Sequence, residues 1–150
     1  MLGAGILLPN DLSGNLGLPS GRMSQAARPE EFFAGHPTAL AAYERVRAIL
    51  SAAGPLEVRT TASQVAFRRR RGFAFLWMPR QYLRGDVAEV VLSIGSDHRI
   101  ASDRFKEVVQ PAPGRWMHHL EIRHLGEIDD EVATWLRDAA DLAGPQITSK

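Results

Sequence analysis

Two apolar runs flank four consecutive arginines in the middle of the chain: Val65-Ala66-Phe67 before them, and Phe73-Ala74-Phe75-Leu76-Trp77-Met78 after Gly72. Runs of this kind on either side of a short charged turn predict a β-hairpin over residues 63–78 with a cationic tip. A three-residue loop, Arg70-Arg71-Gly72, with Gly72 left-handed in a G1 bulge, pairs Phe67 with Phe75 and Val65 with Trp77. Alternation then gathers Val65, Phe67, Phe73, Phe75 and Trp77 on one face. A two-residue loop instead sets Phe67 against Leu76 or Ala74 and divides the aromatic rings between faces. Each large side chain fully buried contributes roughly 1.5–3 kcal/mol, which favours the first register. Ala74, Leu76 and Met78 make the second face apolar too. That predicts a central strand partly covered on both sides, by a loop, the N-terminal segment or a second copy of the chain.

The remaining pattern divides around this hairpin. Pro29-Glu30-Glu31 opens a short helix, with proline at its first position and acids at its positive end. Gly35-His36-Pro37 interrupts it, and Leu40, Tyr43, Val46, Ile49, Leu50 and Ala53 recur at helical spacing until Gly54-Pro55. Leu56 to Thr60 alternates as a strand with Leu56, Val58 and Thr60 inward. Pro79 to Asp86 reads as a basic loop, and Ala88 to Ile94 as a strand with Val90, Leu92 and Ile94 on one face. His98-Arg99-Ile100 has the length of a short edge segment, and Arg104 to Val109 suits either an extended stretch or one helical turn. Arg115 to Arg123 is the last strand, Trp116, His118, Leu120 and Ile122 facing one way, Met117, His119, Glu121 and Arg123 the other. A final helix carries Val132, Trp135, Leu136, Ala139, Leu142 and Ala143 in one stripe. Ile128 staples its start, Asp129-Asp130-Glu131 suit its N-terminus, and Gly144-Pro145 stops it. The order predicts an α+β two-layer sandwich: a mainly antiparallel sheet of about five strands, with an N-terminal and a C-terminal helix on one face.

Composition narrows the classes. With 150 residues, 45% of them hydrophobic, the chain is long enough for one domain with a proper core. Residues 1–28, rich in Gly, Pro, Ser and Asn, read as disordered or as an over-long start with Met23 as the initiator; residues 29–144 read as the domain and 145–150 as a flexible tail. Cysteine is absent, which excludes disulfides, thiolate metal sites and a cysteine nucleophile. No apolar run approaches the ~20 residues of a spanning helix, and no signal peptide is evident, so no membrane partner and a cytoplasmic location are expected. The net charge of +1 conceals an asymmetry. Seven arginines and no acid lie between Arg59 and Arg84, whereas six acids accompany Arg137 alone between Leu125 and Ala143.

Several spaced motifs agree with one family. Phe32-Phe33-Ala34-Gly35-His36-Pro37, Val65-Ala66-Phe67-Arg68, Arg104-Phe105-Lys106-Glu107-Val108-Val109, Pro113-Gly114-Arg115-Trp116-Met117-His118-His119 and Asp129-Asp130-Glu131-Val132 with Trp135-Leu136 resemble the bacterial family known as domain of unknown function 5655. The resemblance covers roughly Pro29 to Ala143. It implies a small cytoplasmic bacterial domain with no established activity, and it supplies no catalytic residues.

The chemistry-bearing residues fall into three groups. Arg68, Arg69, Arg70 and Arg71, with Arg80, Arg84, Arg99, Arg104 and Lys106, are the candidates for meeting an anion, because guanidinium forks match phosphate oxygens. Alternation sends neighbouring arginines to opposite faces, and charged tips also serve solubility and edge protection. Thr60, Ser63, Trp77 and His118 are candidates for lining a pocket, although turn hydrogen bonds and core packing account for them too. His118 and His119 point to opposite faces of a strand and cannot chelate one ion together. A site of His118, His98 and Glu107 has no supporting ligand spacing, so no metal and no cofactor are expected.

Three functions remain. The first is a non-enzymatic binding module that takes nucleic acid or a phosphorylated small molecule through its basic hairpin. The second is a structural or interaction domain, including a homodimer, whose basic hairpin meets an acidic helix of its own or a partner's. The third is an enzyme using His118 or His119 with Arg104 and Lys106; catalytic residues are otherwise unassigned.

Overall fold

A computed structural model of the chain describes residues 28–81 and 87–144. The expectations for residues 1–27, for 145–150 and for Arg84 lie outside the described residues.

Helix α1, Pro29–Phe32, is a single turn with proline at its start and Glu30 and Glu31 at its positive end. Pro37 then opens α2, Pro37–Ala53. Its buried stripe is Ala39, Ala42, Tyr43, Val46 and Leu50, with Leu40 and Ile49 half-buried. The stripe is turned toward the small alanines, and Ala53, expected inward, is exposed.

Among the described residues six strands follow: β1 Glu57–Thr60, β2 Val65–Arg68, β3 Gly72–Trp77, β4 Val90–Ser96, β5 Glu107–Ala112 and β6 Arg115–Ile122. They form one antiparallel sheet in the order β1-β2-β3-β4-β6-β5, so β6 inserts between β4 and the edge strand β5. The sixth strand is β5, from the stretch whose sequence suited either extended or helical structure. His98-Arg99-Ile100, by contrast, is irregular.

Helix α3, Asp130–Leu142, packs with α2 on one face of the sheet. Its start is well determined. The Asp129 side chain accepts a hydrogen bond from the Val132 N–H at 3.2 Å, satisfying one of the free donors of the first turn. That bond, followed by Arg104, holds the Asp129 carboxyl below its usual range. Arg104 Nη1 lies 2.8 Å from Glu131 and 3.1 Å from Asp129, and Nη2 donates to the Glu127 carbonyl. The fold is α+β with the helices on one face, as the pattern predicts.

The hairpin differs from the expected register. Val65 pairs with Leu76, Ala66 with Phe75, Phe67 with Ala74 and Arg68 with Gly72, with an irregularity between Phe67 and Arg68. The turn is Arg69-Arg70-Arg71, closed by Arg69 N–H to Arg71 C=O at 3.0 Å. Gly72 begins β3 and is not among the positive-φ glycines, so the G1 bulge is absent. Phe67 therefore lies with Val65, Ala74 and Leu76 in the helix-side core, while Phe75 packs with Ala66 and Met117 on the other side. The physical reason is that both sides are buried: Phe67 is 0% and Phe75 6% exposed. A register that divides the rings then forfeits no burial, and the argument for keeping them together loses its force.

Candidate anion-binding site

The arginine run is not one cluster. Arg69 turns toward the helices, its side chain 9% exposed, and donates from Nη2 to the Ala53 carbonyl at 3.3 Å and from Nη1 to the Ala140 carbonyl at 3.5 Å. Arg71 donates from Nη2 to the Leu142 carbonyl at 3.2 Å. These carbonyls lie in the last turns of α2 and α3, where a helix carries partial negative charge. Neither helix has a basic residue in its own last turn. The hairpin tip supplies that charge from a distance and joins the two helix ends. Arg69→Met, which keeps most of the stem, is expected to lower stability by about 2 kcal/mol, the scale of losing charge-assisted hydrogen bonds, as read from the midpoint of urea unfolding.

The other cations have separate fates. Arg68 Nε lies 3.7 Å from Glu57, and burial lowers the guanidinium's pKa. Arg80 donates to the Val87 carbonyl at 3.3 Å, at the opposite end of β3 from the tip. Lys106 pairs with Glu121 at 3.5 Å, and Arg104 is held by the acids at the start of α3. Arg70 is exposed, and its stem lies so close to Gly144 that a Cβ there would come 2.6 Å from Arg70 Cδ. Arg99 is exposed in the β4–β5 connection.

At the tip end of the sheet the β2–β3 turn, the end of β4 and the β5–β6 turn come together. Arg71 and Arg115 line an open cleft of about 50 Å³ there, with Gly72, Gly95 and Gly114 among its walls. Asp97 also borders it, and its carboxylate is 2.8 Å from His98 Nδ1. Arg115 did not stand out in the sequence. The signal for it was the adjacent Pro113-Gly114, a turn that brings a strand's first residue to the same end as another hairpin's tip.

The four pocket candidates do not converge. Thr60 ends β1 at the opposite end of β2 from the arginine tip, and Ser63 joins a turn in which Thr61 Oγ1 accepts from the Ser63 and Gln64 N–H groups. His118 faces the helix side. Its Nε2 accepts from the Ile100 N–H at 2.9 Å, so the proton sits on Nδ1 and is donated to the Ile94 carbonyl at 3.1 Å. Both ring nitrogens are thereby used, Phe105 packs against the ring, and burial lowers the pKa. It is a satisfied core histidine. Neither His98 nor Glu107 joins it: His98 meets Ser96 and Asp97, and Glu107 lies across from His119.

Trp77 faces the second side. Its Nε1–H donates to Ser93 Oγ at 2.9 Å, and Ser93 Oγ is 2.7 Å from His119 Nδ1. The three form a buried polar chain across β3, β4 and β6. Burial, then the neighbouring His118, pushes the His119 imidazole down to about 4. Burial raises the pKa of Glu107. The chain escaped sequence reading because Ser93 is one serine among several, and only the β4–β6 register sets it against His119.

The comparisons with known proteins are sparse. No curated protein and no solved structure matches the chain. The family model described as Domain of unknown function (DUF5655) matches residues 30–143, from the first turn of α1 to the end of α3. The chain belongs to the DUF5655 family.

Proposed function

We propose that this domain is a non-enzymatic binding module for a phosphate-bearing partner, nucleic acid or a phosphorylated small molecule. The partner is taken at the tip end of the sheet. The observation that carries the reading is the placement of Arg71 and Arg115, from two separate hairpins, on one open cleft. Arg115 is exposed and makes no ion pair among the described residues. Two guanidinium groups from different elements approach an anion from two directions, which suits a tetrahedral phosphate better than adjacent arginines on one strand. His118 and His119 support no reaction in this reading, because both rings are buried and neither meets solvent.

The test is a titration of isotope-labelled protein with pyrophosphate, a nucleoside triphosphate and a short single-stranded oligonucleotide. Binding is expected to move the amide signals of Gly95 and Gly114 and to weaken as salt rises. Arg115→Glu is expected to weaken it roughly 10- to 100-fold, the scale of losing a charged hydrogen bond. Binding that ignores both salt and Arg115→Glu, or no binding, contradicts the reading.

A second reading, an interaction domain, is favoured by the contacts of Arg69 and Arg71 with the ends of their own helices. In that case the basic hairpin meets an acidic helix within the chain, and its role is to hold the sheet and helices together.

A further inference from the structure

The sheet is buried on both sides, yet α2, α3 and the β4–β5 connection all lie on one of them. On the other side Phe75, Trp77, Val91, Ser93, Met117 and His119 are only 0–8% exposed. That side also carries buried polar atoms. His119 Nε2 and Glu107 Oε1, on residues directly opposite each other across β5 and β6, are buried without hydrogen-bond partners among the described residues. Whatever covers this side must bring apolar surface and polar groups together, since an unmet buried donor or acceptor is costly.

The size of the surface selects the cover. From Ala66 on β2 to Val109 on β5 is four strand spacings, about 19 Å. Residues 82–86 lie within the connection from β3 to β4, between residues 78–81 and 87–89, and five residues reach at most ~18 Å when fully extended, without returning. The 27 residues before Arg28 reach roughly 90 Å. Their sequence has Leu2, Ile6, Leu7 and Leu8 in one apolar run, followed by Asn10, Asp11 and Ser13. We propose that residues 1–27 of the same chain dock on the second side of the sheet, the apolar run against Phe75, Trp77 and Met117, with polar groups of the segment meeting His119 and Glu107.

The chain has no cysteine, so Ser13→Cys in the full-length protein accepts a single nitroxide spin label. The labelled chain, itself isotope-labelled, is expected to show broadened signals for the Trp77 indole and the His119 ring, restored when the nitroxide is reduced. Unchanged signals overturn the proposal. A second sample mixes spin-labelled chains with isotope-labelled chains that carry no nitroxide. Broadening at Trp77 in that sample, as strong as in the first, assigns the cover to a second copy and also overturns it; sharp signals there, with broadening in the first sample, establish docking within one chain.

Discussion

Phe67→Ala is expected to destabilise the domain by about 3–5 kcal/mol, the range for removing a buried aromatic ring from a close-packed core. The ring is 0% exposed and stacks on Tyr43 of α2 with centroids 6.0 Å apart, so truncation leaves a cavity between the sheet and the helix layer. Phe75→Ala also removes a buried ring, but from the small cluster with Ala66 and Met117 on the second side. Because the sheet separates the two rings, the double variant is expected to lose the sum of the single losses to within about 0.5 kcal/mol. Urea unfolding of the four proteins measures this coupling. A coupling well above that value would place the rings in contact on one face.

The second large effect is on acid stability. His119 is neutral in the folded protein down to about pH 4, whereas in the unfolded chain it titrates near 6.5. Above about pH 6.5 both states are neutral and the residue adds no pH dependence. As pH falls from about 6.5 to about 4, the unfolded chain takes up a proton that the folded protein refuses, and stability declines. The loss from His119 alone reaches about 3 kcal/mol by pH 4, at 1.36 kcal/mol per pKa unit. His118, also lowered by burial, acts in the same direction. Glu107, facing His119 across β5 and β6, acts oppositely: its raised pKa means that protonation is easier in the folded state, so falling pH relieves a penalty. Denaturant unfolding at a series of pH values is expected to show stability falling below about pH 6.5. His119→Gln, whose amide can still meet Ser93, is expected to flatten the slope. An unchanged slope in that variant would mean that His119 takes up its proton over the same pH range in the folded and unfolded chain, and would contradict the lowered value.

The layers of the fold were legible because the helices are one-sided. In α3, Val132, Trp135, Leu136 and Ala139 form a stripe bounded by a capping aspartate and a stop at Gly144, and each signal points to the same element. The hairpin was not legible in register. Val65-Ala66-Phe67 and Phe73 to Met78 are apolar at every position, so period two selects no face, and the register follows from contacts distant in sequence. The same holds for the charged residues. The run Arg68 to Arg71 announces a basic tip, but only the folded chain brings Ala53 and Ala140 to Arg69, and Arg115 to Arg71. His118, named in the sequence both as a candidate for lining a pocket and as a residue that core packing could account for, shares a strand face with Leu120 and Ile122 and spends both ring nitrogens on the backbone of Ile94 and Ile100. Its neighbour His119 gained its hydrogen-bond partner Ser93 from β4 and its cross-strand neighbour Glu107 from β5, which no local pattern could supply.

The arrangement of the arginines, the two-sided burial and the docking surface all depend on how β2 meets β3. Cross-strand backbone nuclear Overhauser effects in the β2–β3 hairpin test this most directly. The account predicts contacts linking Val65 with Leu76 and Phe67 with Ala74. Contacts linking Val65 with Trp77 and Phe67 with Phe75 would contradict it.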